Sequence, residues 1–73
     1  VEISEKEYLQ KLGTRIRKLR EEKNLSQFEL AADCDIPKTQ IGRIERAEIN
    51  TTVRTLIKIS KALDISIKDL FDF

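Results

Sequence analysis

A chain of 73 residues has room for one domain, here spanning 1–73, and so short a chain buries only a marginal core of its own, which favours dimerisation. Its composition, 40% apolar and 37% charged, suits a helical domain facing water, while a net charge of +1 does not by itself announce a nucleic-acid partner. One cysteine and no histidine exclude an intramolecular disulfide and the usual Cys/His zinc sites, and no apolar run reaches the length of a membrane span or signal peptide, so a cytoplasmic location without metal or cofactor is expected.

Val1 to Ile3 reads as a loose terminus. Ser4 and Glu7 form an S-x-x-E capping box, which starts a first helix near Glu5 and gives a short helical extension over 4–12. Tyr8, Leu9, Leu12, Ile16 and Leu19 recur at helical spacing and predict its buried stripe. Gly13 either interrupts this helix or permits a close approach. Arg15, Arg17 and Lys18 lie off the stripe, as a solvated face or as phosphate contacts. Asn24 suits a left-handed residue closing the helix.

From Ser26 to Arg46 the chain reads as two short helices joined by a tight turn. Ser26 is an N-cap with Glu29 placed to reach back to it, and a helix is expected from about Gln27 to Asp33. Phe28, Leu30, Ala31 and Ala32 supply its apolar side. Cys34-Asp35-Ile36 forms the turn, with Asp35 tolerant of a left-handed backbone. Pro37 fits the start of the next helix, at about 37–46. Steps of roughly 100° put Ile41 and Ile44 on one face of that helix. Thr39, Gly42, Arg43 and Arg46 fall on the other, flanked by Lys38 and Gln40. The outward face therefore carries side chains that can read base edges in a major groove. Gly42, which costs about 1 kcal/mol of helix propensity relative to Ala, reads as a means of bringing that helix close to DNA.

Asn50-Thr51-Thr52 is the next loop, and Thr52 caps a helix from Val53 to about Leu63. Val53, Leu56, Ile57, Ser60 and Leu63 are its expected inner face, with Ile59 at the margin. A last short helix runs from Ser66 to about Phe71. Ile65 and Leu70 are assigned to the core, whereas Ile67, Phe71 and Phe73 either close the core or form a dimer interface. The sum is an all-α, compact five-helix bundle. Residues 38–61 hold six basic side chains against two acidic, a local basic surface of the kind that meets phosphates.

The segment resembles the helix-turn-helix of the Cro and lambda-repressor family, also called Xre-type regulators. The matching residues are Leu25-Ser26-Gln27, Glu29-Leu30-Ala31, Ile36, Ile41 and Arg43-Ile44-Glu45. The likeness continues into RIRKLREEKNLSQ before the motif and TLIKISKALDI after it. Three positions depart from the family pattern: Asp35 replaces the turn glycine, Pro37 replaces a Ser or Thr, and Ala47 replaces the glycine that follows the second motif helix. The resemblance implies a buried ion pair between Arg20 and Glu45, and double-stranded DNA as the partner. It implies a homodimer with its second motif helices in successive major grooves about 34 Å apart, on a near-palindromic operator.

In that arrangement Lys38, Thr39 and Arg43 face base edges, and Gln40 reaches a base or a phosphate. Gln27, by the resemblance, contacts a phosphate and braces the helix that reads the groove. Arg46, Asn50 and Thr51 sit where the following loop meets the DNA backbone, and Arg54 reaches a phosphate or the minor groove. The function expected is that of a sequence-specific transcriptional regulator; a restriction-modification controller or an antitoxin would look alike at this level. The alternative is a protein-interaction module on the same fold. No catalytic constellation can be assembled from these residues.

Overall fold

The structure, a computed structural model, describes residues 3–73; the first two positions of the expected loose terminus lie outside them. It contains α1 (Glu5–Glu22), α2 (Gln27–Cys34), α3 (Lys38–Glu45), α4 (Val53–Ala62) and a 3-10 helix (Ile67–Phe71), so the last of the five expected helices is a tighter turn. Oxygen side chains start three of the α-helices. Ser4 Oγ accepts from Glu7 N (3.2 Å), Ser26 Oγ from Glu29 N (3.0 Å) and Thr52 Oγ1 from Thr55 N (3.1 Å). The box at Ser26 closes reciprocally, because its own N–H donates to Glu29 Oε1 at 2.9 Å. That bond holds the Glu29 carboxyl below the usual carboxylate range. Pro37 stands just before α3 rather than inside it, and gives the helix no side-chain cap.

All four α-helices end in one way. Asn24, Asp35, Ala47 and Asp64 each take a left-handed backbone, with φ of 58°, 56°, 60° and 58°. The residue after each donates its N–H back to the carbonyl five positions before it: Leu25 to Arg20 (3.1 Å), Ile36 to Ala31 (3.0 Å), Glu48 to Arg43 (2.8 Å) and Ile65 to Ser60 (3.0 Å). The cap forms at Ala47 too, where the resembling family carries glycine, at the cost of a methyl group in a conformation that suits glycine.

The core is built from Leu12, Ile16, Leu30, Ala31, Cys34, Ile41, Ile44, Leu56, Ile59, Leu63 and Leu70. α2 packs on α3 and α4, α1 packs on α3, and the 3-10 helix closes the base against α1 and α4. Arg15 takes part in this closure, donating from Nε to the carbonyl of Asp69 at 3.0 Å. Gly13 settles its two readings in favour of close approach. α1 runs through it unbroken, and a Cβ there would lie 2.6 Å from the carbonyl oxygens of both Ile44 and Glu45.

Several apolar assignments shift. α4 is turned relative to its expected phase: Val53 (65% exposed) and Ile57 face outward, while Ile59 and Thr55 are buried with Leu56 and Ser60. Two polar groups can occupy the inner face because their hydroxyls are satisfied locally. Thr55 pairs with Thr52 at 3.2 Å, and Ser60 donates to the Ile57 carbonyl at 2.8 Å. Phe28 (66% exposed) leaves the apolar side of α2, and Tyr8 lies beyond the buried part of the α1 stripe. Cys34 is a buried wall residue, and burial pushes its thiol above its ordinary pKa, away from the reactive thiolate.

Two backbone positions give predictions of opposite sign. Gly13→Ala should destabilise the fold by roughly 1–3 kcal/mol through overpacking, although Ala is the better helix former. Ala47→Gly should stabilise it by about 0.5–1 kcal/mol by relieving the left-handed strain. Thermal unfolding followed by circular dichroism measures both.

Candidate nucleic-acid interface

α3 is held from beneath by Ile41 and Ile44, both in the core. Its rotation is set by a polar cluster at its last turn. Arg20, from α1, donates Nε to Glu45 Oε2 at 2.7 Å and Nη2 to Glu45 Oε1 at 3.1 Å. Its third nitrogen, Nη1, donates to the Leu25 carbonyl at 2.7 Å. The side chains are 10% and 2% exposed, so this is a desolvated, two-pronged pair. The pairing raises the Arg20 pKa against the opposing effect of burial. Gln27, opening α2, adds Nε2 to Glu45 Oε1 at 3.0 Å. One carboxylate therefore ties the ends of α1 and α3 to the start of α2.

On the opposite side, Lys38, Thr39, Arg43 and Arg46 are exposed and Gln40 is half-buried. With Gln27, Gly42 and Glu48 the first four line a shallow groove along α3. Gly42 has a second role, within the protein's own packing. It is buried under its own protein, where an added Cβ would meet Arg46 Nη1 at 2.8 Å and Gln27 Oε1 at 3.4 Å. The missing side chain lets the Arg46 guanidinium fold back over the helix beside Gln27. Asn50 and Arg54 are exposed beyond the end of α3. The Thr51 Oγ1 is enclosed and lacks a hydrogen-bond partner among the described residues.

Glu48 was not singled out from the sequence. It accepts from Arg46 Nε (2.7 Å) and Nη2 (3.4 Å), and lies 3.9 Å from Arg43 Nε. Hydrogen bonding to Arg46 holds its carboxyl below the usual range and raises the Arg46 pKa. The signal that could have found it is positional. The residue after the left-handed one is Leu25, Ile36 or Ile65 at the other three helix ends, each packed on the core, and only here is it charged.

On the tail, Ile67 packs against the core. Phe71 and Phe73 are exposed, 6.2 Å apart between ring centroids, and Phe73 meets Tyr8 of α1 edge-on at 6.3 Å.

A family model for helix-turn-helix proteins, HTH_3, matches residues 16–70. The chain belongs to this helix-turn-helix family. Among relatives of the family, it is 45% identical over 62 residues to the control protein C.BamHI of Bacillus amyloliquefaciens, covering 84% of this chain and 76% of that one. The crystal structure of the restriction-modification controller protein C.AhdI of Aeromonas hydrophila superposes with a TM-score of 0.85 at 38% identity, over 86% of this chain and 96% of that one. SinR, the master regulator for biofilm formation, crystallised in complex with DNA, matches with a TM-score of 0.78 at 37% identity, over 84% and 98% of the two chains. The HTH_3 match begins at Ile16, so about the first three turns of α1 precede it.

The three-residue cluster yields a stability prediction. Glu45→Ala should cost about 3–5 kcal/mol, because it strands a buried guanidinium, and should lower the melting temperature sharply. An unchanged melting temperature would mean that the pair does not hold α3.

Proposed function

We propose that this protein is a sequence-specific, double-stranded-DNA-binding transcriptional regulator that inserts α3 into the major groove. The observation that carries the reading is the two-sidedness of α3. Its inner face is locked to α1 and α2 through Glu45, and its outer face presents Lys38, Thr39 and Arg43 to solvent on a rigid support. Rigid presentation is what base reading requires, since a mobile side chain loses its discrimination in ordering entropy. Similarity to SinR, crystallised with DNA, and to restriction-modification controllers supports the same reading.

The contacts divide by role. Arg43 and Lys38 address guanine O6 and N7, Thr39 offers its methyl to thymine, and Gln40 stands at the edge of the reading face. Gln27 spends its amide on Glu45, so its phosphate contact comes through its main-chain N–H at the start of α2. Arg46, Asn50 and Arg54 meet the sugar-phosphate backbone around the loop after α3. The homodimer is formed with Phe71 and Phe73 at its interface, which places two copies of α3 on a near-palindromic site. Ile67 supports that surface from the core side.

Selection of bound duplexes from a random pool tests binding, half-site symmetry and spacing together. Against the selected duplex, Arg43→Ala should lose about 1–3 kcal/mol of specific binding and relax preference at one base pair. Equal affinity of both proteins for selected and scrambled duplexes would defeat base readout by α3.

A further inference from the structure

The carboxylate of Glu48 sits on the DNA-facing side of the molecule, among the cations that the regulator reading assigns to DNA. Its backbone is fixed there. The N–H donates to the Arg43 carbonyl at 2.8 Å, behind the left-handed Ala47. Its side chain takes the Nε and Nη2 edge of Arg46, the same edge a phosphate would take. The second contact, to Arg43, is looser at 3.9 Å. At the other three helix ends the corresponding side chain packs on the core, so local folding does not call for a charge here.

We infer that Glu48 is a specificity-determining residue: an internal phosphate mimic that holds Arg43 and Arg46 back from indiscriminate binding to DNA backbones. The inference rests on the regulator reading above.

The two contacts differ in strength in the way this role needs. On the selected site, Arg43 turns to a base edge and gives up only the 3.9 Å contact, while Arg46 keeps its 2.7 Å bond to Glu48. Arg46 still has Nη1, lying over Gly42, to give to a phosphate. On unrelated DNA there is no base contact to gain, and binding depends on phosphates alone. Arg43 must then leave the carboxylate with no base contact in return, and the carboxylate, neutralised by Arg46 alone, turns part of its charge toward the phosphate array. The clamp is exposed and so easily opened. It acts as a bias on where the arginines go and leaves them able to bind.

The test compares the full chain with Glu48→Gln on two fluorescent duplexes, one selected from the random pool and one scrambled from it, across a salt series. Glu48→Gln should bind the scrambled duplex about fivefold more tightly at low salt, the upper size of one exposed ion pair. The salt slope on that duplex should steepen by about one ion. Affinity for the selected duplex should rise less, so the ratio between the two falls. An unchanged ratio and slope would overturn the proposal, and so would weaker binding to both duplexes, which would make Glu48 a prop for the arginines. If the parent protein binds neither duplex, the regulator reading itself fails.

Discussion

The whole interface depends on one carboxylate in an unfavourable place. Glu45 stands in the last turn of α3, where the helix dipole repels negative charge, and it is almost completely buried. It is tenable there only because Arg20 meets both of its oxygens and Gln27 shares one of them. Arg20 has the opposite situation. It lies in the last turn of α1, where the dipole favours a cation, and its remaining nitrogen is occupied by the Leu25 carbonyl. The apolar anchors Ile41 and Ile44 say which face of α3 is inward, but dispersion contacts are tolerant of small rotations and slides. Hydrogen bonds to a planar guanidinium are not. The buried pair adds little net stability over an apolar substitute, and its contribution is the fixed angle at which α3 is offered outward.

The same corner explains where the two glycines went. Neither is used for its backbone freedom, since the left-handed positions fall to Asn24, Asp35, Ala47 and Asp64. Both are used for their lack of a side chain. Gly13 lets the α1 backbone touch the final carbonyls of α3, which brings Arg20 within reach of Glu45. Gly42 clears room on the other side of α3 for Arg46 and Gln27. Asn and Asp bear a left-handed backbone at modest cost, but Ala47 does not. The strained end is thus the one at the DNA-facing side, and it fixes the backbone of Glu48.

Much of this was legible in the residues. The capping oxygens at Ser4, Ser26 and Thr52 marked three helix starts, because their chemistry is local and needs no tertiary context. The Arg20–Glu45 pair was reached through resemblance, since nothing within either helix points to a partner 25 residues away. The phase of α4 was not legible. Apolar side chains at Val53, Leu56, Ile57, Ile59 and Leu63 spread over an arc of about 160°, wider than a packed face needs, so periodicity did not say which edge of it turns inward. Packing against α2 and the 3-10 helix chose a face that includes Thr55 and Ser60. The packing around Gly42 was not legible for a related reason: projection around a helix shows direction but not what a neighbouring side chain, here that of Gln27, already fills.

Local charge, finally, overstates what α3 can spend on DNA. Of the acidic residues between 38 and 61, Glu45 is consumed internally by Arg20 and takes nothing from the surface. Glu48 does, because it is shared by Arg46 and Arg43 on the exposed side. Lys38 stands with two arginines that already have an acceptor, so α3 itself has few cations to release counterions from a duplex. Base contacts made by one short helix cannot supply a tight complex alone. Affinity must then come from repetition, with a second α3 held at a fixed distance so that its binding is effectively intramolecular. In the homodimer proposed above, the exposed aromatic tail, braced by Tyr8 on α1 and sharing no residue with the groove along α3, is the surface that would hold such a second copy without covering α3. On that proposal, weak single sites and a paired regulator belong together. A face that bound DNA strongly as one copy would have no need of symmetry in its operator, and no means of rejecting half of it.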